Sequence, residues 1–174
     1  MGRFYKPMFV PLGMLSVVAS AHAELPQVTW PSGWEVEDLA QEGASPAVSR
    51  QRAVKNDPGG TPVMVMELTM TRVERGHQVN VQGVLLEMRK AVQKDFFQSG
   101  YQSVCNKIHP ATLSHLSALE TTCTITQNGR HVLSQTLVGA VDADNAYVLS
   151  YAGQVEAYKA SQEEVEAVRN SLKL

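Results

Sequence analysis

Asn128-Gly129 sits between two stretches in which apolar and polar residues alternate, and it constrains this chain more than any other pair of residues. Both residues tolerate positive φ, which a two-residue turn needs if its twist is to match that of the paired strands. The dipeptide therefore predicts a tight hairpin. It also pins the register, because a slip of one residue turns every side chain to the wrong face. Pairing Gln127 with Arg130 sets Ile125 opposite Val132, Cys123 opposite Ser134 and Leu119 opposite Val138. A second loop, Asp142-Ala143-Asp144-Asn145, leads into a strand over residues 147–152, and pairing Val141 with Ala146 sets Val138 opposite Leu149. Apolar residues then align across three strands, as in an antiparallel meander.

The rest of the chain supplies partners for this meander. After an irregular stretch with Pro26, Pro31 and Gly33, residues 34–39 alternate as a half-buried strand does. Residues 47–54 and 62–73 flank the turn formers Asn56-Asp57-Pro58-Gly59-Gly60 and predict a hairpin. Met64, Met66, Leu68 and Met70 form the inward side of its return strand; methionines at this spacing are core fillers more often than an adaptable binding surface. The period then changes to that of a helix. Val81, Val84, Leu85, Met88, Val92 and Phe96 share one face, with Asn80 as N-cap, Gly100 as stop and Gly83 weakening the first turn. A strand over 101–108 ends at His109-Pro110. A short C-terminal helix follows from Ser161, with Ser161 and Glu164 at capping-box spacing and Val165, Val168 and Leu172 on its inner face. The expected fold class is α+β: a twisted antiparallel sheet of about six to seven strands with one long helix and a C-terminal helix packed on it.

The first 23 residues carry a different message. Arg3 and Lys6 form a basic n-region, residues 8–19 an apolar core, and Ala21-His22-Ala23 a small-residue cleavage motif, so Ala23 and Glu24 flank the expected cut. The apolar run is too short to span a bilayer and contains Pro11 and Gly13. With no cysteine at the cut, the expectation is a secretory signal over 1–23 and a single domain over 24–174, periplasmic or secreted, with no lipid anchor and no transmembrane segment after cleavage. An oxidising destination suits Cys105 and Cys123, the only two cysteines of the 174 residues. If residues 101–108 pair with 116–126 about a turn near Ser114, the two face each other within disulfide reach. A crosslink there stabilises by about 3 kcal/mol in the chain-entropy picture.

Composition and motifs exclude several function classes. The 15 Lys and Arg are outnumbered by 17 Asp and Glu, and Arg3 and Lys6 leave with the signal, so nucleic acid and anionic membrane surfaces are poor partners. No Gly-x-Ser-x-Gly elbow or phosphate-cradling glycine pattern occurs. His77, His109, His115 and His131 have no metal-ligand spacing and read as solvated loop residues. Glu35 and Glu37 read as the solvated side of a strand, and Asp142-Ala143-Asp144-Asn145 as an ordinary turn rather than a calcium loop. Trp30 and Trp34 either anchor a partner or seal the end of the sheet.

The element order, with Ala146-Tyr147-Val148-Leu149-Ser150-Tyr151, then Tyr158, then Val168-Arg169-Asn170-Ser171-Leu172-Lys173-Leu174, resembles the PsbP-like (Mog/PsbP) superfamily, and within it a branch of small exported bacterial proteins of unknown function. The resemblance covers residues 34–174. It implies a twisted antiparallel sheet with helices packed on it, and binding to larger partners without catalysis. It carries over no functional residue. The expected function is therefore a non-enzymatic envelope protein that needs no cofactor and binds another protein or envelope component, through the open sheet face or the end near Trp30 and Trp34. The alternative is a carrier of a small apolar ligand between the long helix and the sheet, lined by Met66, Met70, Met88 and Phe96. An enzyme of unknown class is a weaker third.

Overall fold

The structure, a computed structural model, describes residues 26–39 and 48–174. Eight strands and three helices follow in the order β1 (Glu35–Leu39), β2 (Val48–Asn56), β3 (Pro62–Arg72), α1 (Val81–Gln98), β4 (Gln102–Cys105), β5 (His109–Leu113), β6 (Leu116–Gln127), β7 (Arg130–Val141), β8 (Asn145–Gln154), α2 (Val155–Ala160) and α3 (Gln162–Ser171). The strands form one antiparallel sheet ordered β1-β2-β3-β8-β7-β6-β4, with β5 on the same edge of β6 as β4. The architecture is the expected α+β sheet, one strand larger than predicted.

The extra strand is β5. His109-Pro110, read as a stop, instead opens a strand that pairs with the first half of β6, from His109 opposite Glu120 to Leu113 opposite Leu116. Proline is tolerated there because β5 is an edge strand whose outer side needs no donor. Ser114, at φ 55°, makes the turn that the cysteine geometry required. Cys105 then faces Cys123 across β4 and β6, and the two are joined by a disulfide with Cα atoms 3.9 Å apart.

The Asn128-Gly129 turn forms with φ of 51° and 74°, and Gln127 pairs with Arg130. Beyond it the register departs from expectation. Thr126 lies opposite His131 but Ile125 lies opposite Leu133, so Val132 is an extra residue in a β-bulge. Every later pair shifts by one: Cys123 faces Gln135, and Leu119 faces Gly139. The loop after β7 behaves as predicted, with Val141 opposite Ala146 and Val138 opposite Leu149.

The shift moves Cys123 and Ile125 of β6 to the side of the sheet opposite Val138, level with Gln135 and Leu133. Met64, Met66, Leu68, Met70, Val138, Ala140, Tyr147, Leu149 and Tyr151 share one core with Val165 and Val168 of α3 and with Leu172 just beyond it. Successive strand residues point to opposite faces, so Gly139 faces away from that core. A Cβ at Gly139 would lie 2.9 Å from Val81 Cγ1 and 3.4 Å from Leu85 Cδ2, which places α1 on the second face. β7 is thus buried on both sides, and Thr136, Leu137, Val138 and Ala140 are each at most 2% exposed.

Both helix ends of α1 follow from sequence. Asn80 Oδ1 accepts the Gly83 N–H at 3.0 Å. At the other end Gly100 adopts φ 82°, its N–H donates to Phe97 O, and the Tyr101 N–H donates to Phe96 O at 2.9 Å, a Schellman motif. The C-terminal helix differs from expectation. Ser161 makes no side-chain cap; its backbone accepts from Val165 N and donates to Ala157 O, so α2 runs almost directly into α3. Glu164 instead accepts from Lys55 Nζ at 2.6 Å and from Trp34 Nε1 at 3.2 Å, while Lys55 also donates to Ser161 Oγ and lies 5.6 Å over the Trp34 ring. The ionic partner of Glu164 lies in β2, beyond the reach of a local capping pattern.

Two predictions follow from these contacts. Gly139→Ala should destabilise by about 1–3 kcal/mol in urea unfolding, with part of the loss recovered by adding Val81→Ala; an unchanged midpoint would mean that α1 does not seat there. Acid should also weaken the fold. Asp142 is raised by partial burial, but hydrogen bonds from the Asp144 N–H, the Tyr147 hydroxyl and the Asn145 N–H hold its pKa below the ordinary carboxylate value. Glu164, likewise raised by burial, is held low mainly by Lys55 and Trp34. Depressed native pKa values mean stability that is full above about pH 4 to 5 and lost as pH falls through the native pKa values. The urea midpoint should drop below that range, and less steeply in Asp142→Asn; a profile equally steep in the variant would remove Asp142 from the account.

Candidate functional site

At one end of the sheet the chain turns three times within a small space: at the Schellman end of α1, at the Asn128-Gly129 hairpin and at the junction of β8 with α2. Between these turns lies a cleft of about 530 Å³ lined by Tyr101, Gln127, His131, Val132, Leu133, Gln154, Val155 and Glu156. A second cavity of about 230 Å³, lined by Asp95, Phe96, Ser99, Tyr101 and Leu133, shares two of those residues. Tyr101 and Leu133 border both, so the two hollows adjoin along one cleft, and the larger is of a size found for ligand sites.

Each wall has a local cause. The Schellman motif brings Tyr101 back against Phe96, and the two rings meet edge to face with centroids 5.9 Å apart. The bulge presents Val132 beside Leu133, two consecutive β7 residues on one cleft. Gln154, with no side-chain cap bond, leads into the first turn of α2, where Val155 and Glu156 project. The floor is therefore aromatic and aliphatic, and the rim carries amides and carboxylates. Of the lining residues, only Phe96 and His131 were weighed for function from sequence. A usable signal was present: two aromatic residues bracketing Ser99-Gly100 are the hydrophobic contact that accompanies a Schellman end.

His131 is the imidazole in the cleft. Its Nε2 lies 3.0 Å from Leu133 O and 2.9 Å from Ser134 Oγ, a serine–histidine contact that invites comparison with a nucleophile and its base. The Leu133 carbonyl can only accept, so with that bond made Nε2 carries the proton and is no base towards Ser134. Ser134 also sits within a regular strand rather than on a strained elbow.

The remaining sequence candidates are dispersed. His77 contacts Glu74, and His109 lies 3.8 Å from Glu120, which is itself held by Arg169 at 2.8 Å. His115 follows the Ser114 turn. Among the described residues, no group of three or more His, Cys, Asp or Glu is placed to hold a metal. Glu35 and Glu37 are exposed, and Glu37, Arg52 and Glu67 form an ion ladder across β1, β2 and β3. Trp34 is 7% exposed, and Trp30 is partly buried against the same core. Met66 and Met70 lie in the α3-side core, while α1, which carries Met88 and Phe96, packs on the opposite face; the four do not line one pocket. Ala23 and Glu24 lie outside the described residues. No helix among the described residues is long and apolar enough to cross a membrane.

Comparison with known proteins agrees with this architecture. A solution structure of cyanobacterial PsbP (CyanoP) from Synechocystis sp. PCC 6803 superimposes with a TM-score of 0.59 at 12% identity, covering 93% of this chain and 99% of that one. A crystal structure of LpqN, involved in cell envelope biogenesis of Mycobacterium tuberculosis, gives 0.53 at 15% identity, covering 88% and 86%. At such identities the likeness establishes a PsbP-like fold. No curated protein matches by sequence. A family model matches residues 25–174, and the chain belongs to that family, described as Domain of unknown function (DUF4946).

Proposed function

We propose that this chain is an exported, non-catalytic accessory protein of the bacterial envelope that binds another macromolecule through the cleft at the end of its sheet. The cleft itself carries the reading: its floor is apolar, and its walls come from the ends of three separately anchored elements. Phe97, on the same turn of α1 as Phe96, is 76% exposed. A large ring held in solvent on a capped helix end costs little entropy to bury against a partner. Export is supported by the N-terminal sequence and by the disulfide. The envelope assignment is supported by the likeness to LpqN, whose described role is in cell envelope biogenesis. Absence of catalysis is the reading that suits His131, whose ring is committed to the backbone of its own strand.

A second reading, a carrier of a small ligand, is favoured by the volume of the cleft, about 530 Å³. Native mass spectrometry of freshly purified protein separates the two, since a co-purifying small molecule supports the carrier.

The direct test is photo-crosslinking in the native cells, with a photoreactive phenylalanine analogue placed at Gln154 in the cleft or at Glu74, in the loop at the opposite end of the sheet. A discrete higher-mass adduct is expected from Gln154 and not from Glu74. No adduct from Gln154, or the same adduct from both sites, would contradict the proposal.

A further inference from the structure

The charged residues that line the cleft have one sign. Asp95 borders the smaller hollow and Glu156 the larger, whereas no lysine or arginine lines either. The two carboxylates come from different walls, Asp95 from the last turn of α1 and Glu156 from the first turn of α2. α1 adds to the effect. Its C-terminal end, where the helix dipole is negative, carries no basic residue in the last turn, although a cation is the favourable side chain there. Asp95 joins no ion pair among the described residues. Glu156 lies 3.4 Å from Lys159, but both side chains are largely exposed, so water screens that pair and leaves the carboxylate available. Tyr101 and His131 are the other titratable groups in the lining, and the His131 Nε2 faces Leu133 O and Ser134 Oγ.

Beneath this acidic rim lie Tyr101 and Phe96, then Val132, Leu133 and Val155. An aromatic ring below carboxylates from two walls suits a planar cation that donates hydrogen bonds from its edge to carboxylates and stacks on a ring face. A guanidinium does both, and its alkyl stem is compatible with an aliphatic floor. We infer that the cleft receives an arginine side chain of a partner polypeptide, flanked by apolar residues that occupy the valine and leucine floor. The inference rests on the cleft being the binding surface and adds what the partner must present there.

The test uses the protein without its N-terminal 23 residues, oxidised, with isotope-labelled backbone amides. The probe is the capped peptide acetyl-Gly-Leu-Arg-Leu-Gly-amide, compared with the same peptide carrying citrulline, a neutral isostere of arginine. Saturable amide shifts at Tyr101, Leu133 and Glu156 are expected with the arginine peptide. The citrulline peptide should bind about tenfold more weakly or not at all, because charge-assisted bonds to both carboxylates are lost. Asp95→Asn combined with Glu156→Gln should erase the difference between the two peptides. Equal binding of both peptides to the wild type would overturn the cation preference while leaving the cleft as the contact surface. No shift with the arginine peptide at millimolar concentration, alongside a crosslink from Gln154, would likewise overturn it.

Discussion

The seating of α1 against Gly139 is the contact on which the arrangement depends. A sheet of this width, with all of its connections antiparallel, can leave one face to water, and most of its strands do alternate between core and solvent sides. β7 does not. It carries the α3-side core through Val138 and Ala140 and the α1 side through Leu137 and Gly139. Because Gly139 has no side chain, Val81 and Leu85 approach the strand backbone closely enough for Leu85 to be fully buried. Where α1 sits fixes where it ends, and its end forms one wall of the cleft. The disulfide acts on the same side, tying β4, the short edge strand that follows α1, to β6.

The opposite face is organised by a different device. α3 meets an apolar surface rich in methionine, whose side chains adapt to irregular gaps and specify orientation poorly. Direction comes from polar contacts around its edge: Glu164 to Lys55 and Trp34, Arg169 to Glu120 and to the Thr112 carbonyl, and the Ser114 hydroxyl to Leu172 O. These bonds reach β2, β5, β6 and the β5–β6 turn, so the helix is held at both ends. The Trp34 indole takes part in this arrangement, its N–H donated to Glu164.

Much of this was legible in the sequence because local chemistry and global packing agree. Asn128-Gly129, Asn80, Gly100 and the apolar alternation of residues 62–70 each act through neighbours a few positions away, and each element formed where they point. The misses have a common cause in non-local contacts. The bulge at Val132 has no glycine to mark it, and it shifts every β6 partner by one while leaving the β7–β8 register as expected. His109-Pro110 reads as a breaker until β6 supplies an edge on which proline is harmless. Glu164 matches a capping box locally, but Lys55 lies more than a hundred residues away in sequence and offers a charged partner that Ser161 cannot. The cleft was least legible, since it is assembled from the ends of elements, where sequence patterns are shortest.

If the doubly buried strand is the spine of the molecule, its backbone should open last. Native-state hydrogen exchange measures this directly, residue by residue. The amides of Leu137, Val138, Gly139 and Ala140 are predicted to exchange only through global unfolding, with those of the edge strands β1 and β4 exchanging earlier through local opening. Exchange of the Leu137 to Ala140 amides as fast as those of β1 would contradict the account.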